Sequence, residues 1–176
     1  MRRAREVTNC IMEQNRPVIA AVNGPALGAG MGPVIAADII VASENAVFGL
    51  PEIDIGLMGG VSHITTIFPK SLARRMILTG YRVPAAEAYR RGIIEACVPL
   101  EDLMEEAMKL ARNIAAKSPK ALSLAKRAIN TVGSMPLREG YRFEQNLTNE
   151  MTRHEDSKEA MRAFVEKRPA VFKDTI

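Results

Sequence analysis

The segment from Pro17 to Gly60, PVIAAVNGPALGAGMGPVIAADIIVASENAVFGLPEIDIGLMGG, limits what this chain can fold into more than any other. An apolar run, Val18 to Val22, stops at Asn23-Gly24-Pro25, which is strong turn chemistry, and glycines then stand on alternate residues at Gly28, Gly30 and Gly32. That spacing strips one loop of side chains and lets another group approach its backbone closely. A helix starts next, so the N–H groups of Ala29 and Gly30 are free to point outward as unpaired donors. The segment reads as a strand, a glycine loop, a short helix and two strands.

Outward-facing amides are what a developing oxyanion requires. Glu52 follows the bend Phe48-Gly49-Leu50-Pro51 at a strand end, a carboxylate among apolar neighbours and therefore a candidate proton carrier. Each feature has a plainer reading. The glycine loop is also compatible with a tight helix-opening turn that holds no ligand, and a glutamate after proline is, taken alone, more commonly a solvated turn residue. A dinucleotide loop fits poorly, because G-x-G-x-G departs from the G-x-G-x-x-G pattern.

The chain's 176 residues are enough to bury a real core, and 47% hydrophobic against 25% charged residues is ordinary for a globular protein. The length fits one domain, with or without an appendage. The absence of Trp and an aromatic share of 5% argue against a base-stacking surface for single-stranded nucleic acid. The net charge of +4 is spread among acidic residues, the pattern of a solvated surface rather than a nucleic-acid face. Cys10 and Cys97 lie far apart without metal-ligand or CxxC spacing, so neither a metal site nor a disulfide framework is expected. The opening MRRAREVTNC lacks the apolar core of a secretory signal, and the glycines and prolines between Pro17 and Ala37 break any membrane helix there. The expected location is cytoplasmic, or an organelle matrix if a targeting segment lies upstream.

Ala4, Val7 and Ile11 recur at helical spacing, so Met1 to about Asn15 reads as a helix that Pro17 ends. Further on, Ile64 to Phe68 is helical up to Pro69, Ser71 caps a helix that Gly80 stops, and Val83 is a short extended link. Pro84 opens the helix Ala85 to Arg91, Gly92 ends it, and Ile93 to Val98 is a strand closed by Pro99. From Leu100 the pattern is helical to the end, with segments from Leu103 to Ile114, Ser118 to Gly133, Ser134 to about Met151 and Asp156 to Lys167. Residues 1–99 therefore read as an α/β core and 100–176 as a helical region.

AVNGPALGAG followed by AADIIVASENAVFGLPEIDIG, with LTGYRVPAAEAYRRGIIEACVP from Leu78 and AFVEKRPAVFK from Ala163, resembles the enoyl-CoA hydratase/isomerase, or crotonase, family from about Arg16 onward. The resemblance implies an α/β fold, a right-handed spiral of strand-strand-helix units, with a C-terminal all-helical region that assembles trimers, often paired into hexamers. It implies an acyl-CoA or enoyl-CoA thioester as substrate, coenzyme A entering only as part of it, with no separate cofactor and no metal. By the same resemblance Ala29 supplies an oxyanion N–H, Glu52 is the acid/base, Gly28, Gly30 and Pro51 line the substrate, and Lys167 reaches the coenzyme A phosphates. Lys167 read alone is a helix-end lysine countering the helix dipole.

Two departures bear on the chemistry. The family's hydratases use a second glutamate at position 32, where this chain has Gly32, and their P-G-A-G-G-T run is replaced by Met58-Gly59-Gly60-Val61-Ser62-His63. One carboxylate suits double-bond isomerisation or certain lyases better than water addition. A non-catalytic, acyl-CoA-binding or scaffold role is the competing expectation. His63 is a candidate second proton carrier or, more plainly, a surface histidine at a helix start; Asp54 shares the face of Glu52 if that segment is extended, and a structural or solvent-facing role is its plainer reading. In the family a substantial portion precedes the first helix and provides the other oxyanion donor and many coenzyme A contacts. With one donor the chain as given is expected to forfeit ~3–4 kcal/mol of enolate stabilisation and to be weakly active or inactive on any enoyl-CoA.

Overall fold

The structure is a computed structural model that describes residues 2–173, with side chains from Arg5 onward. The expected start of the first helix at Met1 lies outside the described residues. The chain forms two compact units, one of Val18–Ala111 with the residues up to Met12, the other of Glu13–Pro17 with the residues from Arg112 on.

In the first unit, α1 (Arg2–Glu13) precedes a ladder of short strands: β1 (Ile19–Val22), β2 (Pro25–Leu27), β3 (Ile39–Ser43), β4 (Val47–Gly49), β5 (Val83–Pro84) and β6 (Ala96–Val98). They make two three-stranded sheets, β1-β3-β6, all parallel, and β2-β4-β5, in which β2 and β4 are parallel and β5 is antiparallel. From β1 to β4, consecutive strands alternate between the sheets. Each strand-bend-strand unit thus stacks in register on the next, Ile19 against Ile39 and Pro25 against Val47, with helices carrying the chain back. This spiral needs turns at Asn23-Gly24 and Glu44-Asn45, where the chain leaves one sheet for the other.

The ladder accounts for the residue pattern. β3 reads IIVAS because both its faces are covered: Ile40 and Ala42 enter the main core with Met31, Phe48 and Ile64, while Val41 packs on Leu103 and Ala107 of α6 (Leu103–Ala115). The helices α2 (Met31–Ala36), α3 (Val61–Ile67), α4 (Lys70–Thr79) and α5 (Ala85–Arg90) complete this unit. Four details differ from the expectations above. Pro25–Leu27 is a strand rather than loop, because Pro25 stands at its first position, where no ladder N–H is needed. Ser71 lies inside α4, whose N-cap is Pro69. Pro84 is the N-cap of α5 rather than its first residue, and only Ala96–Val98 of the expected strand from Ile93 is extended.

The second unit holds α7 (Pro119–Val132), α8 (Leu137–Thr152) and α9 (Glu155–Glu166). The Ser118 hydroxyl caps α7 by accepting from the Ala121 N–H at 3.1 Å and donates to Asp156 Oδ2 at 2.5 Å, so one buried serine joins the N-termini of α7 and α9. Lys126, 4% exposed, donates to the Arg16 carbonyl at 3.1 Å and fixes the link before Pro17 against α7. Among the described residues no helix is long and apolar enough to cross a membrane.

Candidate active site

β2 and β4 are parallel neighbours that end side by side, Leu27 paired with Gly49. The segments leaving the two strands are therefore delivered to the same place. After Leu27 comes a 3₁₀ turn, Gly28–Gly30, which leads into α2; after Leu50 comes another, Pro51–Ile55. The register of a two-strand ladder brings together residues more than twenty positions apart in sequence.

Glu52 sits in the second turn, just past the strand end at which the sequence places it. Proline at the first position of that turn pre-sets its φ, and the Leu57 N–H donates to the Glu52 carbonyl at 2.9 Å, so the backbone that carries the carboxylate is held at both ends. The side chain reaches across to the first turn. A Cβ built on Gly28 would stand 2.9 Å from Glu52 Oε1, and Gly28 itself has φ +54°. Glycine is required there twice over, by backbone conformation and by the carboxylate resting on it. Oε2 is buried and has no hydrogen-bond partner among the described residues. A buried, unpaired carboxylate oxygen is costly in a resting fold and is expected where a substrate or a proton completes the site.

Ala29 and Gly30 are exposed beside it. The Met31 N–H turns back to the Gly28 carbonyl, so the turn begins at Gly28 and offers no internal acceptor to the N–H groups of Ala29 and Gly30. The turn that carries these residues and the Glu52 carboxylate thus meet at Gly28 and form one edge. Ile53, Ile55, Leu57 and Met58 are 42%, 74%, 59% and 72% exposed, an apolar rim directly after Glu52 that sequence reasoning does not single out. Its signal is present as I-D-I-G-L-M, hydrophobic residues in a glycine-broken segment too irregular to be a core strand.

The other candidate positions have surroundings of their own. The segment after Pro51 is helical, not extended, so Asp54 does not share the face of Glu52; its carboxylate packs on Gly80, the left-handed C-cap of α4, where a Cβ would meet Oδ1 at 2.7 Å. His63 is half-buried in the first turn of α3, its backbone N–H donating to the Gly60 carbonyl at 3.2 Å. Gly32 faces α1, where a Cβ would lie 3.3 Å from the buried Thr8 Oγ1, so a side chain at this position must share space with that hydroxyl. Lys167, in the second unit, is the C-cap of α9.

A family model described as enoyl-CoA hydratase/isomerase matches residues 3–175. The chain belongs to the enoyl-CoA hydratase/isomerase family. A mitochondrial enoyl-CoA hydratase of Pongo abelii is 44% identical over 162 residues, which are 90% of this chain and 56% of the relative. A carnitinyl-CoA dehydratase of Salmonella typhi is 38% identical over 173 residues, 93% of this chain and 65% of the relative. The crystal structure of an enoyl-CoA hydratase from Bacillus anthracis superposes with a TM-score of 0.93 at 34% identity, covering 97% of this chain and 67% of that one. The fold is that of the crotonase family, and the chain spans just over half to about two thirds of the length of these family members.

Proposed function

We propose that this chain carries an acyl-CoA-thioester site of the enoyl-CoA hydratase/isomerase type, with Glu52 as its acid/base. The observation that carries the reading is the Glu52 carboxylate resting on Gly28 with Oε2 buried and without a hydrogen-bond partner among the described residues, in the turn that also holds the exposed residues Ala29 and Gly30. The thioester carbonyl oxygen accepts from the Ala29 N–H, which stabilises negative charge as an enolate forms. Glu52 moves the proton at the neighbouring carbon, Gly28, Gly30 and Pro51 shape the floor, and the apolar rim from Ile53 to Met58 receives the acyl chain. Lys167 contacts a phosphate of coenzyme A. Nothing besides the substrate's own coenzyme A is required as cofactor. With Gly32 in place of a second carboxylate, proton shuttling and lyase-type chemistry fit the site better than unaided water addition.

Glu52→Gln keeps size and polarity but cannot accept a proton. It is expected to lower turnover of enoyl-CoA thioesters by about 10²–10⁴ while acyl-CoA binding stays within a few-fold. Retention of most activity refutes the assignment. Gly32 also favours a second reading, a domain that binds acyl-CoA without turning it over; binding by the wild-type chain with no turnover on a panel of enoyl-CoA thioesters identifies that case.

A further inference from the structure

The end of α9 is closed by a lysine in a conformation that lysine rarely adopts. Lys167 has φ +53°, the left-handed region, and is the one non-glycine residue with positive φ among those described. The Arg168 N–H bonds the Ala163 carbonyl at 3.0 Å and the Lys167 N–H bonds the Phe164 carbonyl at 3.2 Å, the double closure of a helix C-terminus whose left-handed position is usually occupied by glycine. A lysine there carries a strain that glycine avoids. The residues after it hold it in place. Arg168 meets Glu159 on the helix through two parallel bonds, Nη1 to Oε1 at 2.6 Å and Nη2 to Oε2 at 3.1 Å, and donates from Nε to Glu166 Oε2 at 2.5 Å. Glu159 Oε1 also accepts the Val171 N–H at 3.1 Å, so one carboxylate ties the returning segment to the helix.

We propose that the Arg168–Glu159 clasp is a positioning device for Lys167: it holds the residue in its left-handed conformation, so that the ammonium is presented beyond the helix end toward an anionic group of the ligand. This rests on the reading that the ligand is an acyl-CoA, whose phosphates are that anionic group. A fork-and-carboxylate pair suits the task because its planar geometry fixes direction as well as distance, which a lysine in place of Arg168 cannot reproduce. Glu159 is held well below the usual carboxylate range, chiefly by its bonds to Arg168 and the Val171 N–H, so the clasp is closed at neutral pH. Arg168 and Glu159 act through Lys167 and touch no reacting atom.

The test compares coenzyme A with pantetheine, which lacks the phosphates, in binding titrations of the full chain and its variants. Glu159→Gln and Arg168→Lys are each expected to weaken coenzyme A binding by about five- to tenfold, and pantetheine binding not at all. Lys167→Gly is expected to do the same while raising Tm by about 2–4 °C, because glycine relieves the backbone strain. Equal losses for coenzyme A and pantetheine, or unchanged coenzyme A affinity in the clasp variants, overturn the proposal while leaving the acyl-CoA reading intact. A lower Tm for Lys167→Gly also overturns it, since the strain would then be absent. Failure of the wild-type chain to bind coenzyme A at all overturns the acyl-CoA reading and this inference with it.

Discussion

A carboxylate lying on a glycine is a small feature with large consequences for both residues. Gly28 is the only residue type that fits, because any Cβ would stand 2.9 Å from Glu52 Oε1 and the backbone φ of +54° already disfavours an L side chain. Gly28→Ala should therefore cost roughly 1–2 kcal/mol from the backbone alone. It should also push the carboxylate off the turn, so turnover falls more than stability explains. Urea unfolding and steady-state kinetics on the same preparation check this; a loss of stability with full turnover would mean that Glu52 does not need its seat on Gly28. At this scale the sequence is informative about identity and less so about geometry. The glycine loop and Glu52 can be singled out from residue types alone, but that the carboxylate rests on Gly28, and not on Ala29 or Gly30, depends on the β2–β4 register, which no local pattern encodes. Asp54 shows the same limit: P-E-I-D-I reads equally as an extended alternation or a 3₁₀ turn, and Pro51 with Gly56 at the two ends decides for the turn.

At the scale of elements, strong punctuation makes most boundaries readable. Pro17, Gly80, Gly92, Pro99 and Ser118-Pro119 each end or start an element where expected, because proline and glycine act on the backbone directly. β2, of three residues, is invisible as a strand in the sequence, and β5, of two, reads there only as an extended link; both are strands because neighbouring strands pair with them, a tertiary effect that overrides local preference. The Arg168–Glu159 clasp is hidden for a related reason, since its partners only meet once the chain has reversed after Lys167. It carries a pH prediction. The Glu159 carboxyl is lowered from its ordinary 4.5 to about 2, mainly by Arg168 and next by the Val171 N–H. A group lowered on folding stabilises the fold above its unfolded pKa and loses that contribution as pH falls through the folded value. The segment after Lys167 should therefore stay docked down to about pH 4.5 and come loose between there and about pH 2. The protection of the Val171 amide, its NMR exchange rate relative to the intrinsic rate at each pH, should fall at the acid end, and Glu159→Gln should show the low protection already at neutral pH. Equal protection in both proteins at pH 7 would contradict the clasp.

For the whole molecule, the exposed apolar residues of the second unit pose a solubility problem that assembly would solve. Leu137, Phe164 and Val165 are 90%, 85% and 79% exposed, and Met161 69%, on helices with no described partner for that surface. The chain is expected to sediment as a trimer or hexamer, and Phe164→Glu to shift it to smaller species; a stable wild-type monomer at micromolar concentration would contradict this. The central claim, that one carboxylate on one glycine turn moves a proton next to a thioester, can be measured without knowing the natural acyl group. Incubating short saturated and enoyl-CoA thioesters with the chain in D₂O and following deuterium incorporation beside the thioester by NMR integrates even slow proton transfer. Incorporation is expected with the wild-type chain and its loss with Glu52→Gln, whereas incorporation at equal rates by both proteins, or by neither, would contradict proton transfer by Glu52.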